Sequence, residues 1–283
     1  MAHLTSLERT VTLRGGVEIP QLGLGVFQVP PDEAQRVVED ALEVGYRHVD
    51  TAAAYVNESG VGAALRASGL PRERVFVTSK LRNGDQGYDA ALRAYDDTLA
   101  RMGLDTLDLY LIHWPNPAAG LWQDSWRALE RLLDEGRVRA IGVSNFRVEH
   151  LQELTSFATH VPAVNQIEVH PAFQQRDVAA ECARLGVVVE AYSPLGQGAA
   201  LDDPVVTGIA EGHGITPAQV VLAWHVQQGR VVIPKTTSRE RMVANADIAE
   251  VRLTDEEVAA VDALESGRRL GNDPRTFALS QIR

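Results

Sequence analysis

The stretch VFVTSKLRNGDQGYDAALRAYDDTLARMGLDTLDLYLIHW (75–114) decides the fold. A short apolar run, VFVTSKL, gives way to a segment with apolar residues at helical spacing, a glycine stop, and a second apolar run, LDLYLIHW. Apolar runs of this kind between helices suit strands buried on both faces of a parallel sheet. The rhythm extends outward through LGLGVF (22–27), YRHVDTA (46–52), VRAIGVSN (138–145), AVNQIEVH (163–170), VVVEAYSP (187–194) and VVIPKT (231–236). Helix-period segments lie between them, and several close on Gly45, Gly136, Gly186 or Gly229, since glycine accepts the left-handed conformation that ends a helix. Thr216 with Gln219 and Thr254 with Glu257 fit capping boxes. Eight strands alternating with helices predict an α/β fold, a (β/α)8 TIM barrel rather than an open doubly wound sheet.

The expected unit is a single domain over 1–283, with the barrel at about 20–250 and a C-terminal helix and loop over 251–283. Gly15-Gly16 between alternating stretches predicts an N-terminal hairpin with a two-residue turn. Residues 197–215 read as an insertion after the seventh strand, 254–266 as an extra helix, and 267–283 as a polar, irregular tail.

Composition removes several classes of function. Asp plus Glu is 38 against 27 Lys plus Arg, and the net charge of -11 argues against nucleic acid or an anionic membrane as partner. The one cysteine, Cys182, excludes a disulfide framework and a thiol-rich zinc site, and reads as a small core residue. No metal site is expected. With no apolar leader or long apolar run, the reading is a cytoplasmic monomer. The pair Gly23 and Gly25 does not extend to the G-x-G-x-x-G of a Rossmann turn, so a nucleotide would bind by another route.

In such a barrel the chemistry lies at the C-terminal strand ends. There the sequence places Asp50, Thr51 and Tyr55, then Ser79-Lys80, His113-Trp114, Ser144-Asn145, Gln166, Tyr192-Ser193 and Lys235. A lysine ending a buried strand needs a partner, and Asp50 is the natural one. Taken singly, the Asp-Lys pair could be a structural ion pair, Tyr55 a packing residue and His113 a rim histidine. Standing together at neighbouring strand ends, they read as a site. Histidines 3, 48, 150, 160, 213 and 225 read as surface or satisfied residues, and His170 as structural.

GYRHVDTAAAYVNESGVGAAL (45–65), TSKL (78–81), DLYLIHWP (108–115), GVSNF (142–146), NQIEVHP (165–171), AYSPLGQG (191–198) and IPKTTSRERMVANADI (233–248) together resemble the aldo-keto reductase family. QGYD (86–89) and SGRR (266–269) are similar to its bacterial 2,5-diketo-D-gluconate reductase-like branch. The resemblance implies hydride transfer from NADPH, with NADH a weaker substitute, to an aldehyde or ketone. It implies Tyr55 as general acid, with Asp50, Lys80 and His113 around it. Ser144, Asn145 and Gln166 would hold the nicotinamide carboxamide, Tyr192 would stack on the ring, and Gly25, Val26 and Asp50 would also touch the cofactor. Ser193, Pro194, Leu195, Gly196 and Gln197 would cross the pyrophosphate. Ile233, Pro234, Lys235, Thr236, Thr237, Ser238, Arg241 and Asn245 would take the adenosine end. Phe27 and Trp114, with Tyr55 and His113, would wall a small carbonyl substrate.

Some expectations have their own physical basis. Lys80 should lower the Tyr55 pKa toward the working range. Lys235, Arg239 and Arg241 near a helix start should favour a phosphate. Arg82, where relatives often carry Trp, should make one substrate wall more polar, and Arg268, Arg269 and Arg275 should favour polar or carboxylate-bearing substrates. Ala244, where many relatives have Glu, puts one adenine or ribose contact in doubt. Two other readings remain: a lyase using Lys80 as a Schiff-base nucleophile, and a non-catalytic NADPH-binding regulatory subunit.

Overall fold

The computed structural model describes residues 6–279; His3 and the end of the tail lie outside the described residues. Strands β1 (Thr10–Thr12) and β2 (Glu18–Pro20) form an antiparallel hairpin. Its loop has three residues rather than two. Leu13 N–H donates to Val17 O, Gly16 N–H donates to Leu13 O, and Gly15 and Gly16 both hold positive φ. A turn with positive φ at its third residue is followed by one extra left-handed residue, which only glycine supplies cheaply.

Eight parallel strands follow: β3 (Leu24–Gly25), β4 (His48–Asp50), β5 (Phe76–Leu81), β6 (Leu107–Ile112), β7 (Val138–Ser144), β8 (Val164–Glu168), β9 (Val188–Tyr192) and β10 (Val231–Val232). They pair in chain order, and the bridge between Leu22 and Val232 joins first to last. Gly23 N–H to Val232 O and Val232 N–H to Gln21 O, both 2.8 Å, make that seam. Gly25 is needed beside it: a Cβ there would stand 2.9 Å from Ile233 O.

Each strand is followed by a helix: α1 (Ala34–Val44), α2 (Glu58–Ala67), α3 (Tyr88–Met102), α4 (Trp122–Asp134), α5 (Val148–Phe157), α6 (Arg176–Leu185), then α7 (Pro204–His213) with α8 (Pro217–Gln227), and α9 (Arg239–Ala246). The expected insertion thus contains α7, capped by Asp203, and the expected C-terminal helix is α10 (Asp255–Asp262). Both expected capping boxes form, and the four glycine stops have positive φ.

Alternation along the strands sorts the two cores. Leu13 and Ile19 of the hairpin pack with Phe76, Leu109, Leu111, Ala140, Val164 and Val231 inside the barrel. The larger core lies between strands and helices and includes Tyr110, Ile112, Trp126 and Leu129. The hairpin therefore plugs the N-terminal mouth, and the interior opens at the C-terminal strand ends. Among the described residues no helix is long and apolar enough to cross a membrane.

Candidate active site

Period-two spacing explains which polar residues meet. Phe76 of β5 belongs to the inner core, so Thr78 and Lys80 face the same way; Leu109 and Leu111 of β6 aim His113 likewise. His48 and Asp50, Gln166, and Glu190 and Tyr192 complete the inward set from β4, β8 and β9.

Lys80 is fully buried. Its Nζ donates to Asp50 Oδ1 at 2.6 Å, to the Thr51 carbonyl at 2.9 Å and to Tyr55 Oη at 3.3 Å. Three acceptors match the three protons of an ammonium. Because Tyr55 Oη accepts from Lys80, its own proton has no acceptor among the described residues. Tyr55 stands on a 3-10 turn (Ala53–Tyr55) that ends with Val56 at φ 60. Buried Asn57 fixes that loop. It accepts from Thr51 Oγ1 and donates to the carbonyls of Val26 and Val29, tying the loop after β4 to the one carrying Phe27.

The electrostatics differ from expectation at Tyr55. Burial raises the phenol above its ordinary 10, Lys80 pulls it down, and Asp50 raises it again; the net direction is up. The Lys80 charge is largely met by Asp50 at contact distance, so it does not offset the loss of water. Burial works to lower the Lys80 ammonium, but Asp50 and Tyr55 outweigh it and the shift is upward. Burial, with the Lys80 charge, holds His113 well below 6.5, as a neutral imidazole.

Asp50, Tyr55 and His113 line a cavity of about 240 Å³ with Gly25, Phe27, Trp114, Ser144, Asn145, Gln166, Tyr192, Ser193, Gln197, Ile233 and Lys235, and Lys80 lies buried behind them. Tyr192 Oη donates to Asn145 Oδ1 at 2.8 Å, and Asn145 Nδ2 donates to the His113 carbonyl at 3.0 Å. Gln166 Nε2 reaches both Asp50 Oδ2 and Glu190 Oε2, at 2.8 and 2.9 Å. Phe27 and His113 both set their rings against Tyr55, with centroids at 5.1 and 5.6 Å. Gln86 donates to the Trp114 carbonyl, and Phe277 backs the indole at 4.4 Å.

Other expected residues stand outside this cavity. Val26 is buried and its N–H donates to Asp50 O. Pro194, Leu195 and Gly196 shape the loop after β9, with Pro194 O accepting from His225 Nε2. Pro234 O accepts from Gly25 N–H across the seam. Thr236, Thr237, Ser238, Arg241 and Asn245 lie at α9, which Ser238 caps by accepting from Arg241 N–H. Lys235 and Arg241 are exposed and make no ion pair among the described residues.

Arg239, in contrast, is held by Glu43 at 2.8 Å and Asp40 at 3.4 Å of α1. Arg82 pairs with Asp85 at 2.5 Å and does not line the cavity. Nor do the tail arginines: Arg275 is engaged by Asp273, and Arg269 lies over the Phe173 ring. In each case a nearby carboxylate or ring was the better partner.

The chain's motifs do not point to two further features. Gly271 and Asn272 of the tail line the cavity, held there by Glu168, whose carboxylate accepts from Leu270 and Gly271 N–H and faces His170 at 3.0 Å. Glu190, fully buried, stands behind Gln166. A charged residue inside the run VVVEAYSP was the available signal, by the same logic that singled out Lys80. Among the described residues no cluster of His, Cys, Asp or Glu could hold a metal.

With this geometry in view, similarity to known proteins is informative. A sequence profile of the Aldo/keto reductase family matches residues 20–266. An aldo-keto reductase from Mycolicibacterium smegmatis is 52% identical, over 94% of this chain and 97% of its own. Glyoxal reductase from Bacillus subtilis is 49% identical, over 95% and 98%. A Gox0644 mutant crystallised in complex with NADPH has a TM-score of 0.91 at 43% identity, covering 95% of this chain and 98% of that one. Ordered motifs, closed barrel and matched relatives agree: the chain belongs to the aldo/keto reductase family.

Proposed function

We propose that the chain reduces small aldehydes or ketones to alcohols with NADPH, and that Tyr55 is the proton donor. One observation carries this reading: Tyr55 Oη accepts from Lys80 Nζ at 3.3 Å and keeps an uncommitted proton in a cavity shared with His113. A relative named glyoxal reductase and a structural neighbour solved with NADPH support the reaction class and the cofactor.

The residues fit a nicotinamide dinucleotide. Gln166 Nε2 is taken by two carboxyl groups, which leaves Oε1 without a partner among the described residues, suited to accept from a carboxamide. Ser144 and Asn145 would complete that contact, with Tyr192 against the ring. The loop Ser193, Pro194, Leu195, Gly196 and Gln197 would follow the pyrophosphate, and Lys235, Thr236, Thr237, Ser238, Arg241 and Asn245 the adenosine phosphate. NADPH, when bound, supplies the hydride.

The chain's own part is the proton and the orientation. Neutral Tyr55 gives its proton to the carbonyl oxygen while Lys80 steadies the phenol oxygen that remains. A developing alkoxide is far more basic than a phenolate, so the transfer runs downhill even from a phenol raised by burial. Neutral His113 can donate to the same oxygen, an oxyanion-hole role. Phe27 and Trp114 wall the substrate.

The lyase reading fares worse, because Lys80 is charged, triply bonded and paired with Asp50 rather than free as an amine. Testing needs NADPH oxidation against a panel of aldehydes, ketones, dicarbonyls and keto-sugars. Turnover of at least one class is expected. No oxidation with any class, or borohydride trapping of substrate on Lys80 without NADPH, would overturn the proposal.

A further inference from the structure

Among the described residues, Glu190 is a carboxyl of the barrel interior that the proposed mechanism does not use. It is fully buried at the middle of β9, and four charged or titratable groups surround it: Asp50 and His48 of β4, Lys80 of β5, and Tyr55. Its Oε2 accepts from Gln166 Nε2 at 2.9 Å, while Oε1 takes no hydrogen bond and lies 3.5 Å from His48 Nε2.

The proton can be placed from the partners. His48 Nδ1 lies 3.3 Å from the Pro20 carbonyl, which can only accept, so Nδ1 carries the hydrogen and Nε2 presents a lone pair, toward which Thr78 Oγ1 also lies at 3.3 Å. A carboxylate oxygen facing that lone pair would be repelled; a carboxylic acid O–H is not. Charge balance agrees, since Lys80 has one counter-ion in Asp50 and a second anion would lie unpaired in the dry interior. Burial and the neighbouring Asp50 push Glu190 up to about 8.

The geometry points to Glu190 as a positioning residue for the cofactor site, a neutral carboxyl that holds Gln166 by its Nε2 and so presents Gln166 Oε1 to the cavity. Asp50 alone could tether the amide, but Asp50 Oδ2 and Glu190 Oε2 bracket the same Nε2 and fix its direction from two sides. An amide can present nitrogen or oxygen with equal ease by turning over. With two carboxyl groups behind it, the oxygen must face forward. The inference rests on reading Gln166 as the carboxamide acceptor.

The test compares equilibrium binding of NADPH with that of its 3-acetylpyridine analogue, which lacks the amide N–H. Calorimetry on the intact protein gives both constants without turnover. Glu190→Leu should weaken NADPH about fivefold, one hydrogen bond's worth, and leave the analogue within about twofold. Glu190→Gln, whose carbonyl can still accept from Gln166, should restore NADPH binding. Equal losses for both cofactors, or none for either, in a folded Glu190→Leu protein would overturn the inference while leaving the proposed function standing. If that variant does not fold, Glu190→Asp, which withdraws the carboxyl by one methylene, takes its place: selective loss of NADPH supports the inference, and equal losses or none overturn it. Wild-type protein that binds neither cofactor would overturn both.

Discussion

Lys80 Nζ donates to Tyr55 Oη at 3.3 Å and lies 4.9 Å from the centre of the same ring. The ammonium therefore touches both the oxygen and the π-face of the proposed acid. Tyr55→Phe keeps the ring and its packing but removes the proton. Turnover should fall about 10²- to 10⁴-fold, the range for loss of a general acid, with the NADPH dissociation constant within about twofold. Unchanged steady-state turnover would refute the assignment.

At α9 the two arginines should behave oppositely. Arg241 is exposed and unpaired among the described residues, whereas Arg239 is held by Glu43 and Asp40. Arg241→Ala should weaken NADPH at least about tenfold, as expected for a lost charge-assisted contact, and barely affect NADH. Arg239→Ala should leave the ratio of the two cofactors alone. Equal losses of NADPH and NADH in Arg241→Ala would remove the phosphate assignment.

Glu168 holds the tail against the cavity through the N–H groups of Leu270 and Gly271. Glu168→Ala removes two charge-assisted hydrogen bonds that hold the half-buried Leu270 and exposed Gly271, leaving their N–H groups to water. Amide exchange over 268–273 should quicken and the KM for carbonyl substrate should rise more than kcat falls. Exchange rates identical to wild type would show that the tail is held by other means.

Buried groups also set a pH signature for stability. Glu190 is pushed up to about 8 by burial and Asp50, and His48 down to about 3 by burial. In the unfolded chain these groups titrate near about 4.3 and 6.5. Between those values folded Glu190 holds one proton the unfolded chain lacks, and unfolded His48 holds one the fold lacks, so the two effects cancel. From about 6.5 to 8 the Glu190 difference alone remains. The folded state then binds more protons, so stability falls as pH rises, by about 1–2 kcal/mol in all. Urea melts at the two ends should show this fall in wild type and a flatter response in Glu190→Gln. Parallel slopes in both proteins would contradict the neutral carboxyl.

Much of this was legible in the chain because period and position carry the information. Strand runs gave the barrel, and their C-terminal ends gave Asp50, Lys80, His113 and Gln166 together. What was not legible depends on neighbours far away in sequence. Asn57 ties two loops that nothing in YVNESG connects. Gly271 reaches the cavity only because Glu168, about a hundred positions earlier, accepts from its backbone. Arg239 looked like a phosphate ligand until α1 supplied Glu43 and Asp40. The Tyr55 proton depended on a competition between burial and a lysine already matched by Asp50, and only packing decides that.

The seam where Leu22 meets Val232 gives the barrel a clasp. The shared cavity draws Gly25 and Phe27 from one side of that seam and Ile233 and Lys235 from the other. A molecule filling it touches both margins of the closure and fastens the ring as it binds. Occupancy should therefore guard the chain against cleavage near its first and last strands, which are remote from each other in sequence but share one lock.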